Sequence, residues 1–277
     1  MPRACRQGES ITKKAPMKYA RVDIHGTPRW ARLHDNLISL LDGSPYDGGE
    51  PDGTELALAD ARLLAPVIPS KIFCLGRNYA DHRSEMGYVH DGSPSVFMKG
   101  PSTIIGPGDN IVLPPRTMST HVEHEAELAI VIGKSARHVS ADDANDYILG
   151  YTCANDVSAR DLQRSDPHPT RGKGFDTFCP VGPWIETDLD PAAGIRLRCS
   201  VNGVLRQDGS TADMTYGIPF LIEYLTGFAT LNPGDLILTG SPGGTEPLHP
   251  GDNIEIEIDG IGTLTNEVIS SPRPPAK

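Results

Sequence analysis

No stretch of this 277-residue sequence is apolar for long enough to cross a bilayer, which takes about 20 consecutive apolar residues. Met1 to Pro16 carries Arg3, Arg6, Lys13 and Lys14 but no apolar core. This excludes a secretory signal and is expected to form a disordered leader over 1–16, with Met17 as an alternative start. Basic residues are outnumbered, Lys+Arg 25 against Asp+Glu 36, for a net charge of −11. An acidic surface repels nucleic acid and anionic lipid alike, so neither is an expected partner. A small anionic substrate then needs a local cation or metal to override the field. The five cysteines, Cys5, Cys74, Cys153, Cys179 and Cys199, have no C-x-x-C spacing. Odd in number, and four of them in apolar or strand-like surroundings, they read as reduced thiols of a cytoplasmic protein. Two catalytic frames fail as well. The residue four after His124 is Leu128, so H-E-x-x-H is absent, and Arg171-Gly172-Lys173-Gly174 does not complete a phosphate-binding loop.

The composition instead provides turns and strands. Gly 29 and Pro 25 are high for a helical protein and fit many short strands. Tyr19–Thr27, Pro28–Leu33 and Asn36–Leu41 read as strands of a small N-terminal β domain over 17–69, with Asp42–Gly53 a loop and Ala57–Pro69 a linker. A larger unit over 70–277 opens with the apolar strand Lys71–Leu75, which exits through Gly76 into a short helix. There His82 and Glu85 lie three apart and share a face. Gly87–Pro94 is polar and loop-like, as a movable lid would be. Pro-Gly-Asp followed by an apolar strand occurs at Pro107, Pro233 and Pro250, which points to an antiparallel or mixed β-roll. The periodic helix is Ile218–Phe228, with Leu221, Ile222 and Leu225 as its core stripe.

The chemistry concentrates in His121–Lys134. From Glu125 the residues alternate: Glu125, Glu127, Ala129 and Val131 on one face, and Ala126, Leu128, Ile130 and Ile132 on a core face. Two carboxylates so close repel when both are ionised, so they are either solvated at a strand edge or held by a cation. The buried strand Ile148–Ala154 delivers Asp156 at its end, and Ser158-Ala159-Arg160-Asp161 has the capping-box pattern of a helix starting directly afterwards, with Arg160 and Gln163 a turn apart. Glu125, Glu127 and Asp156 would make a three-carboxylate set suited to Mg²⁺ or Mn²⁺ rather than to zinc on His121 and His124. A lysine between glycines, Lys173, is placed to approach a ligand closely.

Six blocks in order, Gly76–His82, Phe97–Lys99, Glu125–Leu128, Asn155–Gln163, Lys173–Asp176 and Leu238–Pro242, resemble the fumarylacetoacetate hydrolase family, in its smaller bacterial-type branch. The resemblance implies a mainly β fold with short helices, a mixed β-sandwich roll preceded by the small N-terminal β domain. It implies one Mg²⁺ or Mn²⁺ per subunit on Glu125, Glu127 and Asp156, an acid/base dyad of His82 and Glu85, and Lys173 as catalytic cation. It also implies a substrate pocket of Arg77, Tyr79, Lys99, Arg160, Gln163, Thr239 and Gly240, and a homodimer. The implied activity is metal-dependent cleavage of a C–C bond in a 2,4-dioxo acid such as an acylpyruvate, through a stabilised enolate. Decarboxylation of an oxaloacetate-like acid and isomerisation of a dienedioate use the same site, and a catalytically silent roll that binds a metal carboxylate is the non-enzyme alternative.

Overall fold

A computed structural model describes residues 16–85 and 92–271, without the side chains of Arg83 and Glu85. The expected leader, apart from Pro16, and residues 86–91, which include most of the expected lid, lie outside the described residues.

Two large sheets carry most of the described strands, and a two-stranded one pairs Val122–Glu123 with Ser158–Ala159. The larger one runs, neighbour by neighbour, through Pro51–Ala57, Leu37–Leu41, Thr27–His34, Lys18–Ile24, Cys179–Glu186, Ile148–Asn155, Ala126–Ile132, Leu236–Leu238, Ile72–Gly76 and Ser95–Lys99. All these pairings are antiparallel except that of Leu236–Leu238 with Ile72–Gly76. The smaller sheet has the order Val204–Ser210, Arg196–Val201, Asn253–Ile258, Gly262–Ser270 and Ile111–Leu113. The expected mainly β roll with short helices is therefore the observed fold. The N-terminal strands are continuous with the larger sheet, because Lys18 and Tyr19 pair with Glu186 and Ile185. Part of the expected linker is also strand: Arg62–Leu64 adds to Lys18–Ile24.

The Ala126–Ile132 strand lies between two partners in the larger sheet, and both of its faces are covered. Leu128, Ile130 and Ile132 pack toward Leu197, Ile256 and the helix Ile218–Phe228, whose Leu221, Ile222 and Leu225 are buried as the periodicity predicts. Ala129 and Val131 pack with Ile72, Cys74 and Leu236. Of the two alternatives left for the face of Glu125 and Glu127, the solvated strand edge falls, since branched side chains at successive positions fit a strand buried on both sides. Cys74, Cys153, Cys179 and Cys199 are buried free thiols on strands, as expected.

The three Pro-Gly-Asp turns share one local structure. Gly108, Gly234 and Gly251 have φ of 76°, 85° and 93°, a region open to glycine at little cost. In each turn the aspartate accepts the backbone N–H three residues earlier: Asp109 from Gly106 at 2.9 Å, Asp235 from Asn232 at 2.7 Å and Asp252 from His249 at 2.7 Å. Buried Asp235 additionally accepts from Ser70 N, Lys71 N and Lys71 Nζ. This turn thereby fixes the entry to Leu236–Leu238 against the start of Ile72–Gly76.

Candidate metal centre and its cavity

Adjacent strand ends bring the acidic residues together. Glu125 directly precedes Ala126–Ile132, Glu127 pairs with Ala154, and Asp156 follows Ile148–Asn155. The junction is closed by Asp156 N donating to Glu125 O at 2.9 Å and Glu125 N donating to Asn155 Oδ1 at 3.0 Å. One oxygen from each of Glu125, Glu127 and Asp156 lies within 4.8 Å of the others, and all three residues are buried. The helix does not start directly after Asp156 as the capping-box pattern predicts. Ser158–Ala159 is a short strand against Val122–Glu123, and the helix is Arg160–Ser165 with no side-chain cap. Ser158 Oγ is used instead on Asp156 O, at 2.7 Å.

Cations surround the three acids. Lys173 Nζ donates to Glu125 Oε2 and Asp156 Oδ2, both at 2.6 Å, with the Phe97 ring 5.0 Å away. Lys99 Nζ donates to Asp156 Oδ1 at 2.7 Å and Val157 O at 3.1 Å. Arg160 reaches Glu125 Oε1 at 2.7 Å, and His82 Nε2 lies 3.2 Å from the same oxygen. Burial alone would raise the Glu125 pKa, but Arg160, Lys173 and His82 outweigh it and hold the carboxyl well below its ordinary value. Glu127 is opposite. Burial, then the charges of Asp156 and Glu125, push it well above its ordinary value, and Lys173 and the Gly240 N–H do not compensate.

A divalent cation fits these residues. The donors are all carboxylate oxygens, the chemistry of Mg²⁺ and Mn²⁺. Each carboxylate has about four lone-pair sites, so the lysine contacts do not exhaust them. Glu127, lifted by burial and then by like charges, is the group whose electrostatics a cation would reverse. The linkage has a definite sign. With its folded pKa raised, Glu127 binds a proton that the unfolded chain has released, so metal-free protein loses stability as pH rises from the ordinary carboxylate value through the folded one. Metal competes with that proton, so Mn²⁺ affinity should rise with pH over the same window. Calorimetry in two buffers of different ionisation enthalpy should show proton release on Mn²⁺ binding. Release of no proton at any pH would remove Glu127 from the ligand set.

A cavity of about 210 Å³ opens on the three carboxylates, and His82, Arg160, Lys173, Arg77, Gln163 and Ser241 line it as well. Of the residues expected in the substrate pocket, Arg77, Arg160 and Gln163 lie here, and Arg160 donates to Gln163 at 2.9 Å. Tyr79, Lys99, Thr239 and Gly240 do not line this cavity, though Lys99 and Gly240 contact its carboxylates. Lys99 is spent on Asp156, Thr239 Oγ1 donates to Leu128 O at 2.9 Å, and Gly240 N donates to Glu127 Oε2 at 2.5 Å. Tyr79 is buried and lines a separate cavity with Asp81, Asp213 and Gly243. Gly240 has φ 100°, and a Cβ there would come 2.8 Å from Asn78 Cβ, so the N–H on Glu127 depends on glycine. His82 stands on the helix Ala80–Glu85 as expected, whereas the Glu85 side chain lies outside the described residues.

Three contributors are absent from the sequence expectations. Glu123 accepts from Arg160 Nε at 2.6 Å, Thr245 Oγ1 at 2.8 Å and His121 at 2.7 Å, and so orients the guanidinium toward Glu125. Its signal was the spacing, since Glu123, Glu125 and Glu127 alternate in one run. Ser241 lines the cavity, and buried Gln207 contacts His124 at 2.9 Å from a strand remote in sequence. Gln207 had no local signal, whereas Ser241 lies in the Leu238–Pro242 block that carries the family resemblance.

Residues 71–269 match the family described as Fumarylacetoacetate (FAA) hydrolase C-terminal, and 17–66 match Rv2993c-like, N-terminal. The chain is 44% identical over 225 residues to the oxaloacetate tautomerase YisK of Bacillus subtilis, covering 76% of this chain and 74% of that protein. It superposes with TM-score 0.85 on the crystal structure of 2-hydroxyhepta-2,4-diene-1,7-dioate isomerase from Mycobacterium marinum, at 42% identity over 92% of this chain and 100% of that one. Maleylpyruvate hydrolase from Sphingobium sp. SYK-6, in complex with manganese(II) ion and pyruvate, gives TM-score 0.76 and 31% identity over 92% and 100%.

Proposed function

The chain belongs to the fumarylacetoacetate hydrolase family, and on that premise we propose that it is a divalent-metal-dependent enzyme moving a proton between oxygen and carbon in a small 2-oxo acid. Ketonisation of an oxaloacetate-like acid or isomerisation of a dienedioate is the reaction type. The observation that carries this reading is His82 Nε2, 3.2 Å from Glu125 Oε1, at the cavity of the carboxylate centre. Mg²⁺ or Mn²⁺ on Glu125, Glu127 and Asp156 supplies Lewis-acid polarisation of the substrate's oxygens.

The chain's residues do the rest. Arg77, Arg160 and Gln163 offer donors to the substrate's carboxylate, and Arg160 is pre-aimed by Glu123. Lys173 holds its proton: burial lowers its pKa, but Asp156 and Glu125 raise it further, so it serves as a fixed cation and not as a base. The mobile proton therefore falls to His82, which takes it from the enol hydroxyl and returns it to the neighbouring carbon, with no net change in atoms or charge. C–C bond hydrolysis, with His82 activating water, is the second reading, favoured by the likeness to the maleylpyruvate hydrolase. It ranks lower because the tautomerase and isomerase relatives are 44% and 42% identical and the hydrolase 31%. We place the assembly as a homodimer, since Pro51–Ala57 and Ser95–Lys99 end the larger sheet and sheet edges call for cover.

The test is a panel of enol oxaloacetate, dienedioates and acylpyruvates followed by enol absorbance and pyruvate release, with Mn²⁺ or Mg²⁺ and then with EDTA. Metal-dependent ketonisation or isomerisation faster than hydrolysis is expected. Faster acylpyruvate cleavage promotes the second reading, and Mn²⁺ binding without turnover of any compound would make the protein a silent metal–carboxylate binder.

A further inference from the structure

Gln207 sits on Val204–Ser210, the end strand of the smaller sheet, and does not line the cavity. It is nonetheless fully buried and each polar atom has two partners. Oε1 accepts from Ala126 N and His124 Nδ1, both at 2.9 Å, while Nε2 donates to Ser241 Oγ at 2.8 Å and Pro242 O at 2.7 Å. The amide orientation is fixed, because a backbone N–H can only donate and a carbonyl can only accept. Two further observations mark the place as built. The pairing register shifts between Cys199 and Ser200, opposite Gln207 and Leu205, and such a bulge re-aims a side chain. The strand and the loop also pack too closely for added side chains: a Cβ on Gly209 would lie 2.6 Å from the Pro242 ring at Cβ, and one on Gly244 2.2 Å from the backbone O of Arg206.

We propose that Gln207 is a positioning residue for ligand binding, clamping the segment that enters Glu125 and Glu127 to the loop whose Ser241 lines the cavity. It touches no ligand itself. One arm fixes the backbone at Ala126, between the two glutamates. The other fixes Ser241 and Pro242, directly after the Gly240 N–H that binds Glu127. Because Ser241 Oγ accepts from Gln207, its own proton is left to donate, and among the described residues it meets Pro242 O at a long 3.3 Å. Gln207 thus sets both the place and the donor sense of a cavity hydroxyl. This rests on the divalent-cation reading for its effect on ligands but not for the clamp itself.

The experiment compares wild type, Gln207→Met, Ser241→Ala and the double variant. On metal-free protein, amide hydrogen exchange should accelerate in Gln207→Met at 124–127 and at 240–244 together; acceleration in neither or only one segment overturns the clamp. On Mn²⁺-loaded protein, calorimetry with oxalate should show about tenfold weaker binding for either single variant, the scale of one lost hydrogen bond. The double variant should be no weaker than the worse single one, because the two act as a unit. Additive losses, or unchanged oxalate affinity with only a lower Tm, would make Gln207 merely structural. Should Gln207→Met not fold, Gln207→Glu keeps both acceptor contacts and loses at least one of the two donors, since even a protonated carboxyl has a single O–H. It must weaken oxalate similarly and accelerate exchange at 240–244 alone, or the proposal fails. If wild type binds no Mn²⁺, the cation reading falls while the exchange arm still decides the clamp.

Discussion

Glu127→Gln should abolish Mn²⁺ binding and with it turnover, lowering kcat/KM by at least about 10³-fold, the equivalent of several kcal/mol of Lewis-acid stabilisation. The amide has the size of the acid, so packing is preserved. It also resembles the state in which the metal-free protein keeps this group, since burial and the charges of Asp156 and Glu125 hold Glu127 protonated above its ordinary range. Loss of function should therefore come without loss of fold. The metal-free variant should match wild-type Tm at acidic pH and exceed it at higher pH, where wild type must ionise a buried acid or retain its proton against the solvent. The Tm increase that Mn²⁺ gives wild type should vanish. Full activity in this variant would sink the ligand assignment, and a collapsed Tm would show that Glu127 is needed for folding rather than for metal.

His82→Ala should leave Mn²⁺ affinity within about threefold of wild type and slow turnover by about 10²–10⁴-fold, the range of one general acid–base group. The contacts separate the two effects. Glu125 loses the imidazole at 3.2 Å but keeps Arg160 at 2.7 Å and Lys173 at 2.6 Å, so its ionisation and position persist. Calorimetry for metal and initial rates for the substrate found in the panel check the two halves independently. Simultaneous loss of metal binding would place His82 in the metal's support, and an unchanged rate would move the proton to another group.

How far the sequence discloses this site depends on the distance over which each signal acts. The alternation from Glu125 to Ile132 and the placement of Asp156 at a strand end are local, and they bring the three carboxylates together as expected. The helix Ile218–Phe228 is legible for the same reason: its stripe is set by period alone. Local patterns mislead where tertiary partners compete. Ser158 has the chemistry of a helix cap, yet pairing of Ser158–Ala159 with Val122–Glu123 holds it in strand. Lys99 and Thr239 sit in blocks that resemble a pocket, but their atoms are taken by Asp156 and Leu128 O. Gln207 could not be found in advance, because its partners are 34 to 83 residues away and no pattern in Val204–Ser210 points to them.

The collar of cations around the centre has a consequence for what the cavity attracts. Lys99, Lys173 and Arg160 contact Glu123, Glu125 and Asp156, three positive against three negative. With Glu127 protonated, that local ledger is neutral, and apart from Arg77 at the cavity an approaching anion meets a protein of net charge −11. A dication that displaces the proton leaves the same centre with a surplus of one positive charge. Metal loading would then act as the switch of an anion receptor, making a small patch attractive inside a repulsive molecule, and the surplus would be the charge that a single carboxylate cancels.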